Sequence, residues 1–365
     1  MALTTQAAVL TGPRKIELRE LPVPEIREDN AVLRVEVTGV CGVDWPAYTQ
    51  SRPDRFPVPI ILGHEIVGRI ERIGREAARK WGVAEGDRVA MEEYAPCGRC
   101  SYCSSGHYYL CGGMRMAIMY GFTSMSVAPG LWGGFSQFVY LDPNSRLHKL
   151  ADSVPTRIAP LYIPISNGIR WVQREGGIGI GDTLVILGPG QLGLACVIAA
   201  KEAGAGCIII TGRSSDAARL AVARDLGAHV IIDVDIEDPI ERVAAITGGR
   251  MADAVINVAA GAPRIAQQAM EICKIRGTIV MAGGAGKPAE GFQSDLLSRK
   301  EITMKGVRGR GEADLKKAIR IVEADRHPLH KLATHKFTIE QTDLALRTIG
   351  GEGEANPIHV SVLPD

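Results

Sequence analysis

Cys97, Cys100, Cys103 and Cys111 follow one another with the spacing C-x2-C-x2-C-x7-C, and Gly98 and Gly106 let the backbone turn sharply between them. Four thiolates held this close wrap one tetrahedral Zn²⁺ with no open position, the chemistry of a structural metal site. A disulfide knot is the competing use of such a run. It fits poorly with a chain that shows no secretory signal and scatters its remaining cysteines (Cys41, Cys196, Cys207, Cys273) singly, as a reducing cytosol allows. His107 falls inside the loop, but four cysteines already complete a site, so it reads as a solvated histidine.

A second chemical motif lies downstream. Leu184-Val-Ile-Leu187 runs into Gly188-Pro189-Gly190-Gln191-Leu192-Gly193 and then into the helical Leu194–Lys201. A G-x-G-x-x-G motif after a buried strand and before a helix is the setting in which a dinucleotide pyrophosphate meets a helix N-terminus. Gly188 permits the tight turn, Gly190 admits the phosphates close to the backbone, and Gly193 allows helix and strand to pack. An NAD-binding unit carries Asp or Glu at the end of the second strand, for the ribose 2′-hydroxyl. Here that stretch reads Thr211-Gly212-Arg213-Ser214-Ser215, with no carboxylate. An arginine with two hydroxyls is suited to a 2′-phosphate, so NADP(H) is expected over NAD(H).

These motifs need two kinds of scaffold. Up to about residue 155, alternating segments such as Leu33–Val37 and Val67–Ile73, separated by Gly/Pro turns, predict a barrel-like β domain. From about residue 180 the pattern changes to short, continuously apolar runs flanked by helical ones. Thr183–Leu187, Cys207–Ile210, His229–Ile232, Ala254–Asn257 and Gly277–Met281 predict buried parallel strands of a doubly wound α/β sheet. Thr156–Glu175 reads as a helix kinked at Pro164. The strand-like Ile358–Val362 is expected to fold back onto the first domain. The boundaries expected are a catalytic β domain over 1–158, a dinucleotide-binding domain over 159–308 and a return to the first domain over 309–365.

Composition excludes other classes. The chain has 365 residues, 46% hydrophobic and 23% charged, with a net charge of +1. That balance offers no electrostatic footprint for nucleic acid or an anionic membrane, and its longest apolar runs are too short to span a bilayer. The expectation is a cytoplasmic globular protein acting on a small molecule.

The combination of the cysteine lobe, Gly39-Val-Cys41-Gly-Val-Asp44, Gly63-His64-Glu65, Gly133-Gly-Phe-Ser-Gln-Phe-Val139, the dinucleotide motif and Ala282-Gly-Gly-Ala-Gly286 resembles the zinc-containing medium-chain dehydrogenase/reductases, the alcohol and polyol dehydrogenase superfamily. The resemblance implies a chaperonin-10-like β-barrel catalytic domain, a Rossmann domain and assembly as a homodimer or homotetramer. It also implies that Cys41, His64 and Glu65 surround a catalytic zinc, a thiolate–imidazole–carboxylate set suited to Zn²⁺ with a fourth position open.

Three positions depart from the family pattern. Val43 stands where most alcohol dehydrogenases carry the Ser or Thr that starts a proton relay, and Trp45–Tyr48 holds no relay histidine. Ile163 stands where a further metal ligand usually lies. Proton transfer would then fall to solvent, Glu65 or Tyr48, with solvent first. The aromatic and Met-rich segments Trp45–Phe56 and Met114–Trp132 are candidate linings of an apolar pocket. The leading expectation is a zinc-dependent NADP(H) alcohol dehydrogenase or carbonyl reductase (hydride moving to or from the nicotinamide C4). An NADPH-dependent reductase of a conjugated C=C bond, with weak or no catalytic zinc, and a non-catalytic NADPH-binding protein stay open beside it.

Overall fold

A computed structural model describes residues 3–114, 118–283 and 288–364. Part of the Ala282–Gly286 motif and residues 115–117 of the Met114–Trp132 segment lie outside the described residues. The chain divides into two compact units, Met1–Tyr162 with Val322–Ala324 and Leu329–Asp365, and Ile163–Ile321 with Asp325–Pro328.

In the first unit, short strands wrap around an apolar interior. One sheet runs Leu147–Lys149, Arg88–Met91, Glu65–Ile73, Ala31–Val40, His359–Leu363 and Ala333–Thr338, and Phe138–Leu141 also pairs with Ala31–Val40. A second sheet joins Lys15–Pro22, Thr4–Gly12 and Ile60–Ile61. Alternation in Ala31–Val40 and Glu65–Ile73 sends Leu33, Val35, Ile66 and Ile70 into one core with Val89, Tyr120 and Trp132. The C-terminal strand enters by sequence-distant pairing, antiparallel to Ala31–Val40 with Val360 opposite Val40 and Ser361 opposite Gly39.

The second unit contains a six-stranded parallel sheet. Its order is Val230–Asp233, Cys207–Gly212, Thr183–Leu187, Ala252–Asn257, Cys273–Met281, Thr303–Gly306, the arrangement of two mononucleotide-binding halves around a central switch point. The five expected strands all fall within it. The sixth, Thr-Met-Lys-Gly, is an edge strand with no apolar run to announce it. The helix Glu312–Ala324 keeps most of its length in this unit, with Asp314 paired to Arg174 at 3.1 Å, so the chain returns to the first unit at Val322, later than residue 309. The expected single helix over Thr156–Glu175 is three segments: a 3-10 turn Ala159–Leu161, an α-helix Tyr162–Ile169 and a π-helix Arg170–Glu175. Pro164 sits in the first turn of the α segment, where a missing N–H costs no hydrogen bond. Among the described residues, no helix is long and apolar enough to cross a membrane.

Candidate metal centres and dinucleotide site

Strand register assembles the first cluster. Gly39 lies opposite Glu65 in the antiparallel pair Ala31–Val40/Glu65–Ile73, which sets the turn after Val40 beside His64 and Glu65. The turn is tied by Asp44 N–H to the Cys41 carbonyl (3.0 Å) and by Cys41 N–H to Asp44 Oδ2 (2.9 Å). Gly63, at φ +87°, makes the sharp entry to His64, and a Cβ there would meet the Phe135 ring at 2.7 Å. The Gly133–Val139 motif thus packs directly behind the histidine. A Cβ on Gly39 would come within 2.2 Å of Glu65 Oε2, so only glycine leaves that carboxylate its place.

Cys41, His64 and Glu65 each offer one ligand atom, all within 4.8 Å of one another. The surroundings suit a cation. Burial pushes the Cys41 thiol well above its ordinary range, and the Glu65 and Asp44 carboxylates add to the shift. Buried His64 Nδ1 and Asp44 Oδ1 lack hydrogen-bond partners and lie 3.8 Å apart. Turning Nδ1 toward Asp44 leaves Nε2 for a metal, the usual arrangement of a ligand histidine with its carboxylate partner. A thiol, an imidazole and a carboxylate packed together with orphaned polar atoms fit Zn²⁺.

Two residues at this site were missed from sequence. His359 is fully buried, and its Nε2 lies 3.1 Å from Glu65 Oε2. Asp44 closes the Cys41 turn and faces His64. A polar residue inside the apolar strand Ile358–Val362 was the available signal for His359, because a buried histidine requires a partner.

Tyr48 takes a different position from the one expected of a proton carrier. Its hydroxyl donates to Asp343 Oδ1 at 2.5 Å, and burial, followed by that carboxylate, pushes the phenol up to about 12. Arg347 holds the other Asp343 oxygen at 2.9 Å, and Arg14 lies over the Trp45 and Tyr48 rings. Val43 forms the N-cap of the helix Asp44–Tyr48 without a side-chain hydrogen bond. Phe122 packs on the His64 ring (centroids 5.1 Å apart) and stacks on Phe56 at 5.3 Å; Phe122 thus lies beside the cluster, while Phe56 belongs to the buried core behind it.

Cys97, Cys100, Cys103 and Cys111 form the second cluster, and all four are free thiols. Cys100 Sγ lies 3.5 Å from Cys103 Sγ and 4.0 Å from Cys111 Sγ. Neighbouring thiolates around one tetrahedral zinc stand about 3.8 Å apart for Zn–S bonds near 2.3 Å, so the spacing fits a metal and not a disulfide. N–H groups of Gly112 and Cys103 draw the Cys100 thiol down to about 6, whereas burial pushes Cys111 up to about 12. His107 stays outside the cluster, exposed, with Nδ1 3.1 Å from Ser105 Oγ.

The dinucleotide motif occupies the turn from Thr183–Leu187 into the helix Gln191–Ala203. Gly188 sits at φ +106°, and a Cβ on it would press against Ala259. Gly190 caps the helix with open space at its Cβ position, where a phosphate can approach. A Cβ on Gly193 would stand 1.9 Å from the Gly188 carbonyl oxygen, so this glycine closes the loop on itself as well as packing the helix. Gln191 is buried and Leu192 half-buried in the first turn. Gly212 ends the second strand because a side chain there would meet Pro189 at 2.8 Å, which bars the usual ribose-binding carboxylate from that position. Arg213 and Ser214 follow, exposed, with Arg213 Nε on Asp235 at 3.2 Å and Ser214 Oγ on Asp233 at 2.6 Å.

Comparison with known proteins matches this division. Residues 27–152 match the alcohol dehydrogenase GroES-like domain, and residues 192–324 match the zinc-binding dehydrogenase domain. A probable alcohol dehydrogenase of Mycobacterium tuberculosis is 38% identical over 363 residues, 98% of each chain. A sorbitol dehydrogenase of Halalkalibacterium halodurans is 32% identical, covering 94% of this chain and 95% of its own. The crystal structure of an alcohol dehydrogenase from Thermotoga maritima superposes with a TM-score of 0.88 at 25% identity over 100% of both chains. With a GroES-like unit carrying a Cys–His–Glu cluster, a four-cysteine lobe and a Rossmann sheet, the chain belongs to the zinc-containing medium-chain dehydrogenase/reductases and is an oxidoreductase of that superfamily.

Proposed function

We propose that the protein interconverts an apolar alcohol and its carbonyl compound, with NADP(H) as hydride carrier and zinc held by Cys41, His64 and Glu65. The observation that carries this reading is the convergence of those three ligand atoms within 4.8 Å, in a setting of carboxylates and orphaned polar atoms. Bound zinc supplies a Lewis acid that polarises a carbonyl or acidifies an alcohol. The chain's own residues do the positioning. Asp44 stands 3.8 Å from His64 Nδ1 as its carboxylate partner, His359 lies on one oxygen of Glu65, Gly39 keeps space for that carboxylate, and Gly63 makes the sharp entry to His64. Phe122 on the His64 ring, backed by the core residue Phe56, favours an apolar substrate face over the polyols named for some relatives.

The proton route assigned to solvent gains support from Tyr48, whose hydroxyl is engaged by Asp343. Tyr48 is a positioning residue in this reading. Arg213, beyond a strand end that cannot carry a carboxylate, supports NADP(H). The four-cysteine lobe is assigned a structural zinc.

The test is zinc content together with a substrate panel of alcohols, aldehydes, ketones and enones, run with NADPH and NADH. About two zinc ions per chain and carbonyl turnover abolished by His64→Ala are the expected results. Undiminished turnover in His64→Ala protein would move the assignment to alkene reduction, and tight NADPH binding without any turnover to a non-catalytic role.

A further inference from the structure

The donors that would receive a 2′-phosphate already hold anions of this chain. Arg213 Nε donates to Asp235 Oδ1 and Oδ2 at 3.2 and 3.3 Å, and Ser214 N–H donates to Asp235 Oδ2 at 3.1 Å. Ser214 Oγ donates to Asp233 Oδ2 at 2.6 Å, and Arg213 N–H to Asp216 Oδ2 at 3.1 Å. Asp235 itself is fixed by its N–H on Asp233 Oδ1 at 3.0 Å. A guanidinium and a main-chain N–H converging on one carboxylate make the fork that a phosphate oxygen pair would use. Asp233 and Asp235 come from the end of the neighbouring strand Val230–Asp233 and the turn after it, whereas Asp216 follows Arg213 in its own loop.

From this geometry we infer that Asp235 is a cofactor-specificity residue: it stands in for the 2′-phosphate on Arg213 and Ser214 and must be displaced when NADP(H) binds. The inference rests on the NADP(H) reading above and deepens it. NAD(H) has no 2′-phosphate, so its binding leaves the Arg213–Asp235 pair in place. NADP(H) must break that pair and then hold a dianion near Asp235 and Asp233. The preference for NADP(H) is therefore smaller than a free guanidinium would give. Both partners reach solvent, with 70% and 36% of their side-chain areas exposed, so water and salt screen the penalty and it is moderate.

The experiment titrates NADPH and NADH separately into the full-length protein and its Asp235→Asn, Asp235→Ser, Arg213→Ala and Arg213→Ala/Asp235→Asn variants, following nicotinamide fluorescence. Asp235→Asn keeps the shape and removes the charge, and should tighten NADPH binding by about fivefold with NADH changed less than about twofold. Asp235→Ser should do the same, which keeps the test sound if one variant folds poorly. The gain should vanish in the Arg213→Ala background, because a coupled pair is non-additive. Weakened NADPH binding in Arg213→Ala, with unchanged or weaker NADPH binding in both Asp235 variants, would overturn this inference alone. NADPH binding insensitive to Arg213→Ala would instead overturn the NADP(H) reading and the inference with it.

Discussion

Replacing Cys100 with Ser tests the lobe at its most connected sulfur. Cys100 Sγ is the atom from which the 3.5 Å and 4.0 Å contacts to Cys103 and Cys111 are measured, and it also accepts from Gly112 N–H at 3.5 Å. Serine supplies no thiolate, so one of four zinc bonds is lost. Structural zinc in small domains contributes about 10–16 kcal/mol near neutral pH, so one ligand of four carries about 3 kcal/mol, or roughly a hundredfold in zinc affinity. Among the described residues the lobe's own apolar core is small. Its local core is Tyr94, Tyr108 and Tyr109 with Cys103, Leu110 and Met119 packed against them, and its polar anchor is Tyr108 Oη donating to Glu92 at 2.6 Å. Once metal is lost, the segment should open locally while the two larger cores of the unit stay folded. The assay is zinc content after dialysis against a competing chelator, together with limited trypsin digestion. Arg99 is exposed between two of the ligands and gives a cleavage site that reports the opening. The variant should release one zinc equivalent and be cut at least roughly a hundredfold faster under conditions where opening pre-equilibrates. A Cys100→Ser protein that keeps its full metal, its Tm and its trypsin resistance would refute the zinc reading of the lobe.

Four further outcomes follow from the same geometry. A chelator should strip the Cys41–His64–Glu65 site before the lobe, since three ligands hold less tightly than four thiolates; activity should disappear at that first loss, with the circular dichroism spectrum unchanged. Gly193→Ala should abolish dinucleotide binding in a fluorescence titration, because its Cβ would stand 1.9 Å from the Gly188 carbonyl oxygen and force the loop open. Tyr48→Phe should keep most of its turnover yet lose about 1 kcal/mol in urea unfolding, the worth of one buried hydrogen bond. The same variant should show a smaller alkaline loss of stability: the native phenol titrates near 12 against an ordinary 10, so the unfolded state sheds its proton first and stability falls as pH rises from about 10 to about 12.

Sequence reading succeeds here wherever chemistry and fold are encoded by neighbours. The four cysteines share one loop, Gly188, Gly190 and Gly193 share one turn, and the central strands of the Rossmann sheet are buried on both faces and therefore uniformly apolar. It fails where tertiary pairing chooses the partner. His359 meets Glu65 across 294 positions and Tyr48 meets Asp343 across 295, and no local pattern ties either pair. The edge strand Thr303–Gly306 carries a single large apolar residue, Met304, and one of its sides has no neighbour in the described sheet. Arg213 shows a third kind of failure. Its type and position were legible, but its partner was not, because Asp235 arrives from the turn after a different strand and occupies it.

The Cys41 cluster joins these two kinds of information. Cys41, His64 and Glu65 are visible as short motifs, yet their convergence depends on one register, Gly39 opposite Glu65, and on Gly39 itself, where any Cβ would collide with the Glu65 carboxylate. That register also brings the C-terminal strand alongside, since Ser361 pairs with Gly39 and so places His359 within reach of Glu65. Glu65, the proposed metal ligand, is thereby anchored to the last strand of the described residues. The electrostatics run the same way: burial and the Glu65 and Asp44 carboxylates raise the cost of ionising the Cys41 thiol, and burial with Glu65 raises that of Asp44. A divalent cation lowers that cost at once. Close packing of these groups, with Gly39 clearing space for the Glu65 carboxylate, is therefore an arrangement that folding alone gives no reason to build and metal binding does.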